Sequence, residues 1–334
     1  MRENKIVAKN ATQKILIYIK GSDENLKKAI LVLCLTMLLT ACGSNGSSND
    51  SSSGTTTTTT ITASTVEKSK QVIGSIAEVK KSTTTVTEAT TPEPEKPKMT
   101  DDEINALACK EIGYGQGRNV DDKNKPVGGI AFQTEYGKYD AYAMVDTNKK
   151  EIYLSFDQGY ENGYTAKILD TLKEKNAKAI FFLTGDYAKR NPDLVKRMID
   201  EGHVLGNHGA KHKSLPLLSI ADAETEIMSN HQYVLDNFGY DMKYFRPPCG
   251  TYSEKSLAIT QRCGYKSFLW SFAYADWDPN NQPNEEEAYK RITEAAHDGE
   301  IMLLHSVSKT NSDILGRVID NLQEKGYTLT TPSI

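Results

Sequence analysis

The stretch IYLSFDQGYENGY, Ile152 to Tyr164, alternates and then breaks. Ile152, Leu154 and Phe156 take one set of positions and Tyr153 and Ser155 the other, the two-residue period of a β-strand. Asp157, Gln158 and a turn-forming Gly159 follow. A carboxylate at the carboxyl end of a parallel strand is where α/β enzymes place reactive groups. What Asp157 does there, and why an amide rather than a second acid follows it, are the questions the rest of the chain must answer.

Downstream of this strand, short apolar runs alternate with amphipathic segments. Strands are expected at 152–156, 179–183, 204–206, 244–246, 267–270 and 301–304, with a last one near 327–329. Helices are expected at 165–175, 192–201, 220–237, 254–263, 285–297 and 313–325. Repeated strand–helix alternation predicts a parallel sheet or barrel. There is room for about seven such units, one short of a regular eightfold barrel. Before this region, 99–150 reads as an extension packed on the main domain. It opens with a helix capped by Thr100, with acids in its first turn. A Gly- and Lys-rich stretch over 113–129 has no regular period and reads as an ordered loop.

The N-terminal third has a different character. Lys27 and Lys28 precede AILVLCLTMLL, Ala29 to Leu39, an apolar run too short to span a bilayer but suited to the core of a signal peptide. It ends in LTAC, Leu39 to Cys42, which resembles the lipobox of bacterial lipoproteins. A lipidated Cys42 at a new N-terminus, with the paired chains that stable anchoring requires, is the expectation. Residues 1–26 fit a signal peptide poorly, so the true start is expected near Leu26. After Cys42, Ser, Thr, Gly, Lys, Glu and Pro dominate residues 43–98, which cannot bury enough apolar surface to order themselves. As a random coil this tether of roughly 55 residues would span about 40 Å.

Composition narrows the field. A formal charge of −4 over 334 residues gives no reason to expect nucleic acid as a partner. The five cysteines show no CxxC pairing, so neither a disulfide framework nor a zinc ribbon is indicated. All six histidines lie beyond residue 200, and three follow expected strands. GNHGAKH places His208 and His212 four residues apart, a spacing that can meet one divalent cation on a helical turn or simply decorate a loop. YFRPPCG puts Arg246 at a strand end and two prolines before Cys249, whose N–H is left for a ligand. WSFAYADWD offers Asp276 beside Trp277, and the apolar IMLL ends at His305.

This ordered set resembles the NodB homology domain of polysaccharide deacetylases, the family-4 carbohydrate esterases. SFDQG, HGAKH, RPPCG, AYADW and MLLH stand in order for that family's five motifs, over residues 151–334. The amide after Asp157, together with FDQGYENGYT, GYGQGRNVDDKNKPVGG and LLHSVS, is similar to the subgroup of delta-lactam-biosynthetic de-N-acetylases of spore-forming bacteria. The resemblance implies a distorted (β/α)7-type barrel and removal of acetyl from N-acetylmuramic acid in peptidoglycan. N-acetylglucosamine in peptidoglycan or a chitin-like polymer is the alternative sugar, and a non-catalytic glycan-binding lipoprotein the alternative class.

The roles it implies are specific. Asp157 is the general base and His305 the acid that protonates the amine. Arg246 orients Asp157, and Asp276 pairs with Arg246. His208 and His212 bind a divalent metal, zinc or similar. Gln158 stands where the family has an acidic ligand, and its neutral amide oxygen is a weaker donor. The N–H of Cys249 helps form the oxyanion hole, and Trp277 and Leu304 line the acetyl pocket. Gly209 replaces a serine of the second motif, and Ala273 the first acid of the fourth. The expected setting is a monomer acting on glycan strands, held at the outer face of the cell membrane through Cys42 or secreted.

Overall fold

The computed structural model describes residues 98–333. The signal segment, Cys42 and the tether lie outside the described residues except for Lys98. Among the described residues the strands are β1 (Ile112–Gly113), β2 (Ala141–Tyr142), β3 (Glu151–Gln158), β4 (Ala179–Leu183), β5 (Val204–Asn207), β6 (Tyr244–Phe245), β7 (Thr251–Tyr252), β8 (Lys266–Phe268), β9 (Glu300–His305) and β10 (Thr328–Leu329). The helices are α1 (Asp101–Asn105), α2 (Val127–Tyr136), α3 (Thr165–Glu174), α4 (Gly185–Arg190), α5 (Pro192–Asp200), α6 (Ile220–Phe238), α7 (Glu254–Arg262), α8 (Glu285–Glu294) and α9 (Lys309–Glu324).

β3 is buried from its second residue to its last, as a strand covered on both faces must be. Around it runs an all-parallel sheet in the order β9–β3–β4–β5–β6–β8–β2, with β10 beside the first residues of β3. The sheet curls until the segment after β8 meets β9, where Ser271 N–H donates to Ile301 O and Leu303 N–H to Phe272 O. The result is an incomplete barrel of seven strands, the architecture expected from the alternation. Tyr153, Ile180, Phe182, Phe268 and Ile301 form one apolar cluster of the sheet. A larger cluster joins the sheet to the helices, among them Ile168, Leu169 and Leu172 of α3.

Helix starts follow side-chain caps. Thr100 and Glu103 form a capping box on α1, while Thr184, Ser219, Asn284 and Ser308 cap α4, α6, α8 and α9. Such caps satisfy N–H groups that have no partner within the helix.

The stretch before β3 does more than pack on the surface. β2 adds a strand to the sheet beside β8, and β1 pairs antiparallel with β7. Part of the expected loop, from Val127 onward, is the start of α2. Gly128 there comes so close to Gln116 that a Cβ would lie 2.6 Å from its carbonyl oxygen.

Candidate active site

Residues Tyr153, Ser155 and Asp157 share one face of β3 by strand alternation, and the last of them reaches a cavity of about 730 Å³ at the carboxyl ends of the strands. His208, His212, Cys249, Trp270, Tyr274, Trp277, Leu303 and His305 also line it.

Asp157 is anchored from below by Arg246, which is fully buried. Arg246 Nη1 donates to Asp157 Oδ1 at 2.8 Å, Nη2 to Ser155 Oγ at 2.9 Å and Leu269 O at 3.1 Å, and Nε to Phe268 O at 3.0 Å. The guanidinium also lies 4.0 Å from the Phe182 ring centroid. Burial alone would raise the Asp157 pKa, but Arg246, His208 and His305 outweigh it and hold the carboxyl below its usual range. Asp157 is therefore ionised across the neutral range.

His305 forms the second pair. Asp276, fully buried, accepts the His305 N–H at Oδ2 at 2.8 Å and meets Nδ1 at Oδ1 at 2.7 Å. Asn311 Nδ2 donates to the same Oδ2 at 2.6 Å. Burial works against the charged ring, but the hydrogen bond and charge of Asp276, aided by Asp157, raise the His305 pKa above its ordinary value. The expected pairing of Asp276 with Arg246 is thus corrected. The guanidinium is taken up by Asp157, Ser155 and two carbonyls, and Asp276 orients His305 instead.

The histidine pair comes from the turn after β5. His208 Nδ1 lies 2.8 Å from Arg246 O, which fixes the proton on Nδ1 and leaves Nε2 as a lone pair. That nitrogen stands 3.1 Å from His212 Nε2 and 3.5 Å from Asp157 Oδ2. Burial pushes His208 down to about 4 and lowers His212 as well, so both rings are neutral near pH 7. Two neutral imidazoles aimed at one point fit a shared divalent cation. Among the described residues no cluster of three His, Cys, Asp or Glu completes a metal cage. Gln158, the third expected ligand, is not part of the cavity wall. It is fully buried, its Nε2 donates to Ser306 Oγ at 2.6 Å, and its Oε1 has no protein partner.

The remaining expected residues divide. Cys249 lies on the wall with a left-handed backbone, φ 57, after two prolines, and its Sγ is 4.0 Å from His212 Nδ1. Trp277 lines the cavity and is 58% exposed. Leu304 does not line it: it belongs to the core beneath, while Leu303 faces the cavity. Alternation explains the correction, since Leu303 and His305 share one face of β9 and Leu304 points to the other.

Other contributors escaped notice in the sequence. Ser155 was legible, standing two residues before Asp157 on the same face. Gln116 was not. It accepts from Trp270 Nε1 at 2.9 Å and donates to Ala273 O at 3.1 Å, so the extension braces the cavity wall. His203, His231 and His297 stand apart from the cavity. His231 lies against Tyr265 OH and His297 against Ser271 Oγ.

An ionised carboxylate beside an imidazole whose pKa is raised equips a hydrolase that works by general acid–base transfer. Residues 144–268 match the family model described as polysaccharide deacetylase. The chain belongs to the polysaccharide deacetylases, the family-4 carbohydrate esterases. It is 40% identical over 227 residues to the peptidoglycan-N-acetylmuramic acid deacetylase PdaA of Bacillus subtilis, covering 68% of this chain and 86% of the relative. The solved structure of that PdaA superposes with a TM-score of 0.63 at 40% identity, covering 67% of this chain and 95% of PdaA. A family-4 carbohydrate esterase from Bacillus anthracis matches with a TM-score of 0.56 at 37% identity, over 68% of this chain and 96% of that one. The peptidoglycan-N-acetylglucosamine deacetylase PgdA of Listeria monocytogenes is 34% identical over 185 residues, 55% of this chain and 38% of PgdA.

Proposed function

We propose that this chain hydrolyses the N-acetyl group of N-acetylmuramic acid residues in peptidoglycan. The observation that carries the reading is the pairing of Asp157 with His305 at the same level of neighbouring strands, one held ionised and the other with its pKa raised. Similarity to PdaA over most of that protein's length supports the choice of sugar.

Asp157 takes the proton from a water as its oxygen attacks the acetyl carbonyl carbon. The N–H of Cys249, presented by the rigid Pro247–Pro248 turn, donates to the oxygen that becomes negative. His305 gives its proton to the nitrogen as the C–N bond breaks. Acetate and a free amine leave, and Asp276 keeps the imidazole in the orientation and charge that the next turnover needs. His208 and His212, whose Nε2 atoms face each other at 3.1 Å, would hold a divalent cation. Such a cation, when bound, polarises the acetyl oxygen and makes the attacking water more acidic. With Gln158 contributing no charge, such a cation would be held weakly, and full activity after exhaustive chelation would sink this part.

In muramic acid the freed amine lies near the lactyl carboxyl, from which the delta-lactam can close. Similarity to PgdA supports N-acetylglucosamine as the second reading. The setting proposed for the enzyme is the outer face of the membrane, anchored by lipid on Cys42. Acetate release from purified peptidoglycan by the wild type, and its loss in Asp157→Asn, tests catalysis; a wild type that releases none would leave a glycan-binding protein.

A further inference from the structure

His212 sits on a segment that its partner histidine alone does not hold. Its backbone is left-handed, φ 57, a region occupied by only a few per cent of non-glycine residues, His being among the types enriched there. Such a backbone persists where the surroundings over-determine it, and on either side of His212 the backbone N–H groups are taken by one carboxylate. Glu226, only 5% exposed, reaches out of α6 beneath the turn. Its Oε1 accepts the N–H of Lys211 at 2.6 Å and of Lys213 at 3.2 Å, the residues on either side of His212. Its backbone carbonyl accepts Ala210 N–H at 2.9 Å.

Gly209 completes the arrangement. Its φ is 78, and a Cβ there would lie 2.8 Å from Glu226 Oε1. A serine there, as in the family pattern, would bring its Cβ against that carboxylate.

We propose that Glu226 is a positioning residue for His212, and that position 209 is glycine because the Glu226 carboxylate occupies the room a side chain would need. This rests on the reading of His208 and His212 as a cation-binding pair. Carboxylates outside the ligand set commonly fix the orientation of metal-binding imidazoles; Glu226 would do so through the backbone on either side of His212 rather than through its ring.

The test uses the full chain and two readouts. Without added metal, the ring protons of His208 and His212 should give a nuclear Overhauser contact in the wild type. Glu226→Gln keeps an acceptor oxygen and should keep the contact; Glu226→Ala should lose it. Zinc affinity and kcat should fall about 10- to 100-fold in Glu226→Ala, and much less in Glu226→Gln, with KM little changed. If Glu226→Ala does not fold, Gly209→Ala carries the test, because its Cβ must displace the carboxylate and break the same ring contact. An alanine variant that keeps both the contact and the wild-type kcat overturns the proposal, as does Glu226→Gln falling as far as Glu226→Ala. A wild type that binds no zinc overturns the cation reading instead and leaves the ring contact as the measure of Glu226.

Discussion

Asp157 and His305 are cross-strand partners: they stand at the same level of β3 and β9, two parallel strands side by side. Each has its own buried counterpart, Arg246 for the carboxylate and Asp276 for the imidazole. These counterparts push the two pKa values in opposite directions, Asp157 down and His305 up. The fold thereby separates the roles of proton acceptor and proton donor between two groups that could otherwise simply neutralise each other.

The pH dependence follows with definite signs. The Asp157 contribution to stability is present above the ordinary carboxylate range and is lost as pH falls through its depressed folded value. The His305 contribution is fully present below the ordinary imidazole value and is lost as pH rises through its raised folded value. The alkaline limb of kcat should report His305. Asp276→Asn removes the charge that raises it, so that limb should move to lower pH while the acid limb stays. A kcat–pH profile that is superimposable for the two proteins would contradict the assignment.

Arg246 should matter as much for stability as for catalysis. Replacing it with Met leaves the Asp157 carboxylate buried without its ion pair, a loss of about 3–5 kcal/mol in comparable cases. Urea unfolding near pH 7 should show that loss, and lowering the pH until Asp157 protonates should narrow the gap to wild type. An Arg246→Met protein as stable as wild type would mean the pair contributes nothing.

Leu303 and Leu304 should separate cleanly. Leu304→Ala opens a hole in the core and should cost about 2–5 kcal/mol of stability, with kcat/KM changed little in the folded fraction. Leu303→Ala reshapes the cavity wall and should change KM. Equal effects of the two substitutions on KM would place both side chains at the substrate.

Gln116 should show that the extension belongs to the catalytic unit. Its amide spans Trp270 and Ala273 on the cavity wall. Gln116→Ala removes two hydrogen bonds of about 1 kcal/mol each and should raise KM several-fold as well as lower the melting temperature by several degrees. Unchanged KM would reduce the extension to packing.

Much of this was legible in the chain before its structure. β4 and β9 announce themselves because a parallel sheet buried on both faces needs continuous apolar runs, as in AIFFL and IMLL. Asp157, His208, His212, Arg246, Asp276 and His305 could be picked out because each follows such a run. Their partnerships could not. Which acid serves Arg246 and which serves His305 depends on side-chain direction across a curled sheet, and Asp276 was assigned to the wrong one. Leu303 and Leu304 are chemically alike, so only the face of β9 distinguishes them. β2 is two residues long and carries no period. Glu226 reads as one acid on an amphipathic helix, and nothing in its local pattern says that it is buried beneath His212.

The most direct measurement is mass analysis of muropeptides and denuded glycan strands after incubation with the enzyme. Loss of acetyl from muramic acid, with free amine or delta-lactam appearing in the wild type and neither in Asp157→Asn, is the expected result. Amines confined to glucosamine, or glycans left fully acetylated, would contradict it.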